Sequence, residues 1–269
     1  MKQLKIITSI FFLILIFSCQ SSNKNESYTS STTSKDTFNF LPTSTTGQIV
    51  HHDYYSLSYH EEYENPEWTA YSLSPQQIKY QKFKRPYFIR DPKVKSESAH
   101  YKNYFPNGYE KGHLVPAADM RFDIDAYDDT FYTSNVSPMN RDFNSGIWNM
   151  LEKQVRYWVK RYGKLYIVSG GILQPELKRI GKEEVAVPDY FYKIILDYNY
   201  TRNPRIIGFL IPHKNIQKDL KEFVVPVDSI EKLTGIDFFY TLPDKIENKI
   251  EAEKHPEQWK FIKFKKWER

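Results

Sequence analysis

His113, Asn144, Glu152 and Arg156 are the residues whose types and spacing in this chain could cleave a phosphodiester. A phosphodiester is anionic and repels nucleophiles. Its hydrolysis needs a base to activate water and a cation to neutralise developing charge. His113 stands behind Gly112 in the run YEKGHLVPAADM, residues 109–120. Neutral imidazole titrates near neutrality and suits a base, and the glycine would let the backbone approach a substrate closely. A lone histidine is more often a hydrogen-bonded core residue, so this reading depends on the second segment. There Asn144 offers a neutral amide oxygen of the kind a hard cation such as Mg²⁺ accepts while keeping most of its waters. Asn is also a favoured N-cap, and one residue can serve both purposes. Glu152, eight residues on, lies about two helical turns away and could hold the waters of a bound metal. Arg156, one turn further, is either an i,i+4 partner of Glu152 or a phosphate clamp. Asn135, three residues before Pro138, has a plain reading as a turn former.

The elements that must carry these groups are partly visible. Trp148, Leu151, Val155, Trp158 and Val159 share one stripe, which predicts a helix over Asn144–Arg161. Residues 91–112 hold Asp91-Pro92 and Pro106-Asn107-Gly108 and read as a long loop leading to His113. Tyr55–Tyr59 and Trp68–Leu73 read as strands paired around Asn65-Pro66. Leu165–Ser169, Glu184–Val187, Tyr190–Leu196 and Arg205–Ile211 read as further strands. Val227–Glu231 starts a short helix closed near Gly235. The charged tail from Ile246 offers Trp259 and Phe261 as docking residues.

The first residues read as an export signal: Lys2 and Lys5, then a short apolar stretch from Ile6 to Phe17. It ends Leu15-Ile16-Phe17-Ser18-Cys19, which resembles a bacterial lipobox and implies cleavage before Cys19 and lipidation of its thiol. Residues 1–18 are thus expected to be a signal peptide and 19–47 a flexible Ser/Thr/Asn-rich tether. The folded part would start between Phe38 and Ile49, and residues 48–269 would form one domain. Exported, lipid-anchored attachment to a bacterial membrane follows as an expectation. Cys19 is the only cysteine, which forbids an internal disulfide. Lys and Arg number 38 against 33 Asp and Glu; removing Lys2 and Lys5 leaves 36 against 33, a net charge of +3. So small an excess argues only weakly for a polyanionic partner.

The run around His113 and the segment SNVSP, residues 134–138, followed by NSGIWNMLE, residues 144–152, together resemble the DNA/RNA non-specific endonucleases of the ββα-metal (His-Me finger) fold. Weaker likeness reaches from about residue 50 to 242. The resemblance implies an α+β fold with a central, mainly antiparallel sheet flanked by helices. It implies Mg²⁺-dependent cleavage of DNA and RNA without sugar preference, with Mn²⁺ as an alternative ion. By the same likeness His113 would be the general base, Asn144 the direct metal ligand and Glu152 the residue orienting metal-bound water. Asn135 would support the site from behind, Arg156 would bind phosphate, and a further family arginine falls near Arg85. The chain departs from the family's Asp-Arg-Gly-His at Glu110-Lys111. Lysine lacks the planar fork that grips phosphate bidentately, so affinity or rate is in question more than reaction type. The competing class is a non-catalytic surface lipoprotein that binds nucleic acid or another polyanion; it predicts salt-sensitive binding without cleavage. A zinc hydrolase fits poorly, since His51-His52 and His60 show no H-E-x-x-H pattern.

Overall fold

Apolar residues alternating along strands, and recurring every three or four positions along one helix, build a sheet and its cover. The structure is a computed structural model that describes residues 38–199 and 202–263. In chain order the strands are β1 (Ile49–His51), β2 (Tyr55–His60), β3 (Asn65–Leu73), β4 (Glu110–His113), β5 (Val136–Met139), β6 (Leu165–Gly171), β7 (Arg179–Ile180), β8 (Val185–Ala186), β9 (Tyr190–Asn199), β10 (Arg202–Pro212) and β11 (Val224–Val225). The α-helices are α1 (Ile124–Asp129), α2 (Arg141–Phe143), α3 (Asn149–Tyr162), α4 (Val227–Thr234) and α5 (Asp244–Glu251).

Seven strands form one antiparallel sheet in the order β1-β2-β3-β6-β9-β10-β11. The period-2 rule sorts its side chains between two cores. Leu165, Ile167, Phe191, Ile195 and Phe209 meet Leu151, Val155, Trp158 and Val159 of α3. Tyr166, Val168, Tyr192, Ile194 and Leu196 point the other way, toward Val227 and Ile230 of α4 and Phe238. Helices thus cover both faces, which is the expected α+β architecture.

Several local expectations change. The β2–β3 turn is Glu61–Glu64, with Glu64 in the left-handed region at φ 50°; Asn65 and Pro66 already belong to β3. The loop before His113 ends in β4, paired with β5. The strand expected over Glu184–Val187 shrinks to β8, paired with β7. Residues 38–47 are part of the folded domain and not of a tether. Phe38 and Phe40 pack on Tyr166 with ring centroids 5.2 and 4.9 Å apart, and Trp68 Nε1 donates to the Thr43 carbonyl at 2.8 Å. Three apolar residues, Phe38, Phe40 and Leu41, give this piece something to bury, which the polar composition around it hides. The expected signal peptide, Cys19 and the tether up to residue 37 lie outside the described residues. At the other end Trp259 is buried against Trp158 at 4.8 Å, and Trp158 Nε1 donates to the Lys260 carbonyl at 2.7 Å.

Beside the sheet, β4 and β5 form a separate two-stranded hairpin, and the chain leaves β5 through α2 to enter α3. This ββα unit brings the two motif segments together.

Candidate active site

His113 ends β4, opposite Val136 of β5. Asn135 pins the chain just beyond it. Its Oδ1 accepts from Val115 N at 2.9 Å, its Nδ2 donates to the Val115 carbonyl at 3.1 Å, and its carbonyl accepts from Leu114 N at 3.0 Å. Fully buried, Asn135 stands behind the site and away from the cleft. The rings of Phe88 and Phe131 wall the imidazole at 5.3 and 5.1 Å. Burial, and then the Arg85 guanidinium, push His113 down to about 3, so the ring is neutral across the physiological range. Its Nε2 has no hydrogen-bond partner among the described residues. Gly112 has a different role from the one its position suggested. A Cβ there would fall 2.1 Å from Met139 Sδ, so glycine admits the hairpin's own methionine, not a substrate.

The expected single helix is two pieces. Asn144–Trp148 form a π-type turn with a kink at Gly146 (φ −90°, ψ −111°), and α3 begins only at Asn149. Such turns concentrate at functional sites because they re-aim side chains. Asn144 therefore does not cap α3. Its Nδ2 donates to Glu110 Oε2 at 2.9 Å, and since a carboxylate only accepts, this bond settles which end of the amide is which. No hydrogen bond occupies Asn144 Oδ1 among the described residues. Four residues on, Trp148 Nε1 donates to the His113 carbonyl at 3.1 Å and ties the turn to β4.

Beneath these residues lies a buried charged network. Asp119 is buried; its Oδ1 accepts from Arg156 at 2.6 Å and its Oδ2 from the Tyr71 hydroxyl at 2.7 Å. Arg156 also stands 4.0 Å from Glu152. Across the sheet, period 2 turns Lys193 toward α3, between Phe191 and Ile195. Its Nζ donates to Ser169 Oγ at 2.5 Å and sits 4.6 Å over the Trp148 ring. Burial raises Glu152 above the usual carboxylate range, opposed by Arg156 and Lys193. Burial likewise lowers the Lys193 ammonium, opposed by Glu152 and Asp119. Arg156, expected either as a phosphate clamp or as a partner of Glu152, pairs with Asp119 below the cleft and is not among the residues that line it.

An open cleft of about 240 Å³ is lined by His113, Pro116, Ala117, Ala118, Asn144, Ser145, Asn149 and Glu152. The structure therefore brings together the histidine, the asparagine and the glutamate. This donor set fits a hard divalent cation: a free amide oxygen and a half-buried carboxylate face one space. Among the described residues no trio of His, Cys, Asp or Glu gathers at this cleft, unlike a zinc cage. His52 is committed elsewhere, bonded to Asp91 at 2.8 Å.

Lys111 and Arg85 flank His113. Lys111 Nζ lies 5.2 Å from the Phe88 ring, and the Arg85 guanidinium lies 5.7 Å from the same ring and 5.4 Å from Phe131. Burial and then Arg85 lower the Lys111 ammonium. Neither cation makes an ion pair among the described residues. The residues that sequence reasoning left without a role are Glu110, Asp119, Tyr71 and Lys193. Only Lys193 carried a local signal, as a charge between Phe191 and Ile195 on the inward face of an apolar strand.

Comparison with known proteins bears on this arrangement. A family model described as DNA/RNA non-specific endonuclease matches residues 32–245. The mitochondrial nuclease EXOG of Danio rerio is 33% identical over 202 residues, covering 69% of this chain and 59% of that protein. Nuclease 1, mitochondrial, of Schizosaccharomyces pombe is 31% identical over 223 residues, covering 76% of this chain and 69% of that protein. A solved structure of the EndoG/EndoGI complex superposes with a TM-score of 0.69 at 27% identity, covering 74% of this chain and 88% of the other. The chain spans little more than half the length of the vertebrate EXOG proteins, 59% in Danio rerio and 55% in Mus musculus.

Proposed function

This chain belongs to the DNA/RNA non-specific endonuclease family, and from that premise we propose that it hydrolyses phosphodiester bonds of DNA and RNA with the help of Mg²⁺. The observation that carries the reading is the meeting of His113, Asn144 and Glu152 in one open cleft. In this reading the neutral imidazole of His113 takes a proton from the attacking water as the water oxygen bonds phosphorus and the ester oxygen leaves. Asn144 Oδ1 would hold the cation directly, while Glu152 would bind its waters. The cation would supply neutralising charge for the phosphorane and the departing oxygen. Lys111 and Arg85, which form no ion pair among the described residues, would bind phosphate beside the base. Their contacts go to backbone charge, which supports cleavage without sequence preference. Asn135 keeps the turn after His113 in place.

Plasmid nicking and RNA cleavage, each with Mg²⁺ and with EDTA, test this reading. His113→Ala and Asn144→Ala should each lose a factor of about 10² or more in rate. Unchanged cleavage in either variant overturns the assignment.

The export reading belongs to the same proposal: cleavage before Cys19 and lipidation of its thiol would anchor the domain to a bacterial membrane. It rests on residues 1–19 as a sequence. Cys19→Ser should move the protein from the membrane fraction to the soluble fraction; equal fractionation refutes the anchor.

A further inference from the structure

On the face of the sheet opposite α3, helices α4 and α5 pack through Val227, Ile230 and Ile250. We propose that Asp228, Glu231 and Glu251 form a second cation site, which takes a divalent ion of calcium's size and pins α4 to α5. Each residue offers one carboxylate oxygen, and all three oxygens lie within 4.8 Å of one another. Oxygens bound to one Ca²⁺ at roughly 2.3–2.6 Å each stand up to about 5 Å apart, so a trio within that limit can share one such ion.

The second observation is Glu251 itself. Its side chain is 3% exposed, and its Oε1 is buried without a hydrogen-bond partner. A buried carboxylate oxygen with nothing to accept from is costly, and a cation would satisfy it. Glu251 also closes α5, where the carbonyl end of the helix adds negative potential. Asp237 and Glu247 crowd the same spot, and no Lys, Arg or His forms an ion pair with any of the five carboxylates among the described residues. Burial, then Glu231, Glu247, Asp228 and Asp237, push the Glu251 carboxyl up to about 9. With no cation the cluster can be neutralised only by protons; a bound cation would displace them. Glu231 is already oriented, since its Oε1 accepts from Phe238 N at 2.8 Å.

The site is independent of the nuclease reading, and Asn144→Ala separates the two. Ca²⁺ is titrated calorimetrically into the chelator-treated full chain, without nucleic acid, in two buffers of different ionisation enthalpy. The expected result is one Ca²⁺ per chain with proton release in Asn144→Ala, and the same binding event in wild type beside whatever the cleft takes up. The melting temperature should rise on the order of 5–10 °C at a hundredfold excess over Kd. Glu251→Gln and Asp228→Asn should each bind at least about tenfold more weakly and lose most of that rise. Asp228 is exposed, so its variant decides the matter should Glu251→Gln fail to fold. No binding by wild type at millimolar Ca²⁺ overturns the proposal. So does binding by Asp228→Asn that equals wild type, binding lost in Asn144→Ala, or a melting temperature that follows pH while ignoring Ca²⁺.

Discussion

Glu110 accepts a hydrogen bond from the side-chain amide of Asn144 at 2.9 Å, across the gap between the hairpin and the π-type turn. The bond turns the amide so that its oxygen is left to the cleft. Glu110 is one of the two positions where the chain departs from the family's Asp-Arg-Gly-His, and the longer side chain is the one that reaches Asn144. Glu110→Ala should therefore raise the Mg²⁺ concentration needed for half-maximal cleavage by about 10- to 100-fold while leaving the rate at saturating Mg²⁺ within a few-fold. A Mg²⁺ titration of plasmid nicking measures both; an unchanged requirement removes this role from Glu110.

Because burial and Arg85 hold His113 near 3, the base needs no deprotonation anywhere near neutrality. An acid limb of kcat/KM near neutrality should therefore belong to Glu152, which burial raises to about 7, and should move with Lys193→Met and not with Arg85→Ala, as a limb set by His113 would. The linkage has a definite sign. Below about 6.5 the unfolded chain takes up a proton at this position that the native chain refuses until about pH 3. Stability is therefore full above 6.5 and falls as pH drops toward 3. In His113→Phe this contribution to the slope of unfolding free energy against pH should vanish, as denaturant melts at a series of pH values will report.

Lys111 and Arg85 should act on affinity. Lys111→Ala and Arg85→Ala are each expected to weaken DNA binding and to reduce the slope of log affinity against log salt by about one. Lys111→Arg, which restores the bidentate fork, should bind more tightly than wild type. Salt-dependent binding assays in Ca²⁺ or EDTA decide; a slope unmoved by either alanine places that cation away from phosphate.

Asp119 and Arg156 should act on stability. Asp119→Ala leaves the guanidinium of Arg156 without its nearest partner in a largely buried site, at a cost of about 3–5 kcal/mol. Urea unfolding reads this directly. A loss below about 1 kcal/mol, together with salt-dependent loss of DNA binding in Arg156→Ala, returns Arg156 to the phosphate.

Lys193→Met keeps the volume and removes the buried cation facing Glu152. Loss of the Ser169 hydrogen bond and of the contact with the Trp148 ring should cost about 1–3 kcal/mol. It should also push Glu152 further up, so cleavage falls off at a higher pH than in wild type. An acid limb that stays in place shows that Lys193 supports the fold alone.

The residue types of the proposed site and their order stand in the sequence, because chemistry restricts identity: few residues replace a histidine as a base or an asparagine as a neutral oxygen ligand, and the fold brings His113, Asn144 and Glu152 to one cleft. The sequence also carried the strands of the sheet and the apolar stripe of α3, since burial on one face imposes a period that any reader of the chain can count. What it could not carry is pairing between distant positions. Arg156 reads as a partner of Glu152 or of phosphate, and nothing local points to Asp119, 37 residues earlier, which it pairs with in the fold. Gly112 reads as an opening toward substrate until Met139 fills the space. The kink at Gly146, the aromatic walls of His113 and the reach of Lys193 to Ser169 likewise leave no local period. Each depends on how a hairpin, a turn and a sheet pack against one another, and only the folded chain brings those surfaces into contact.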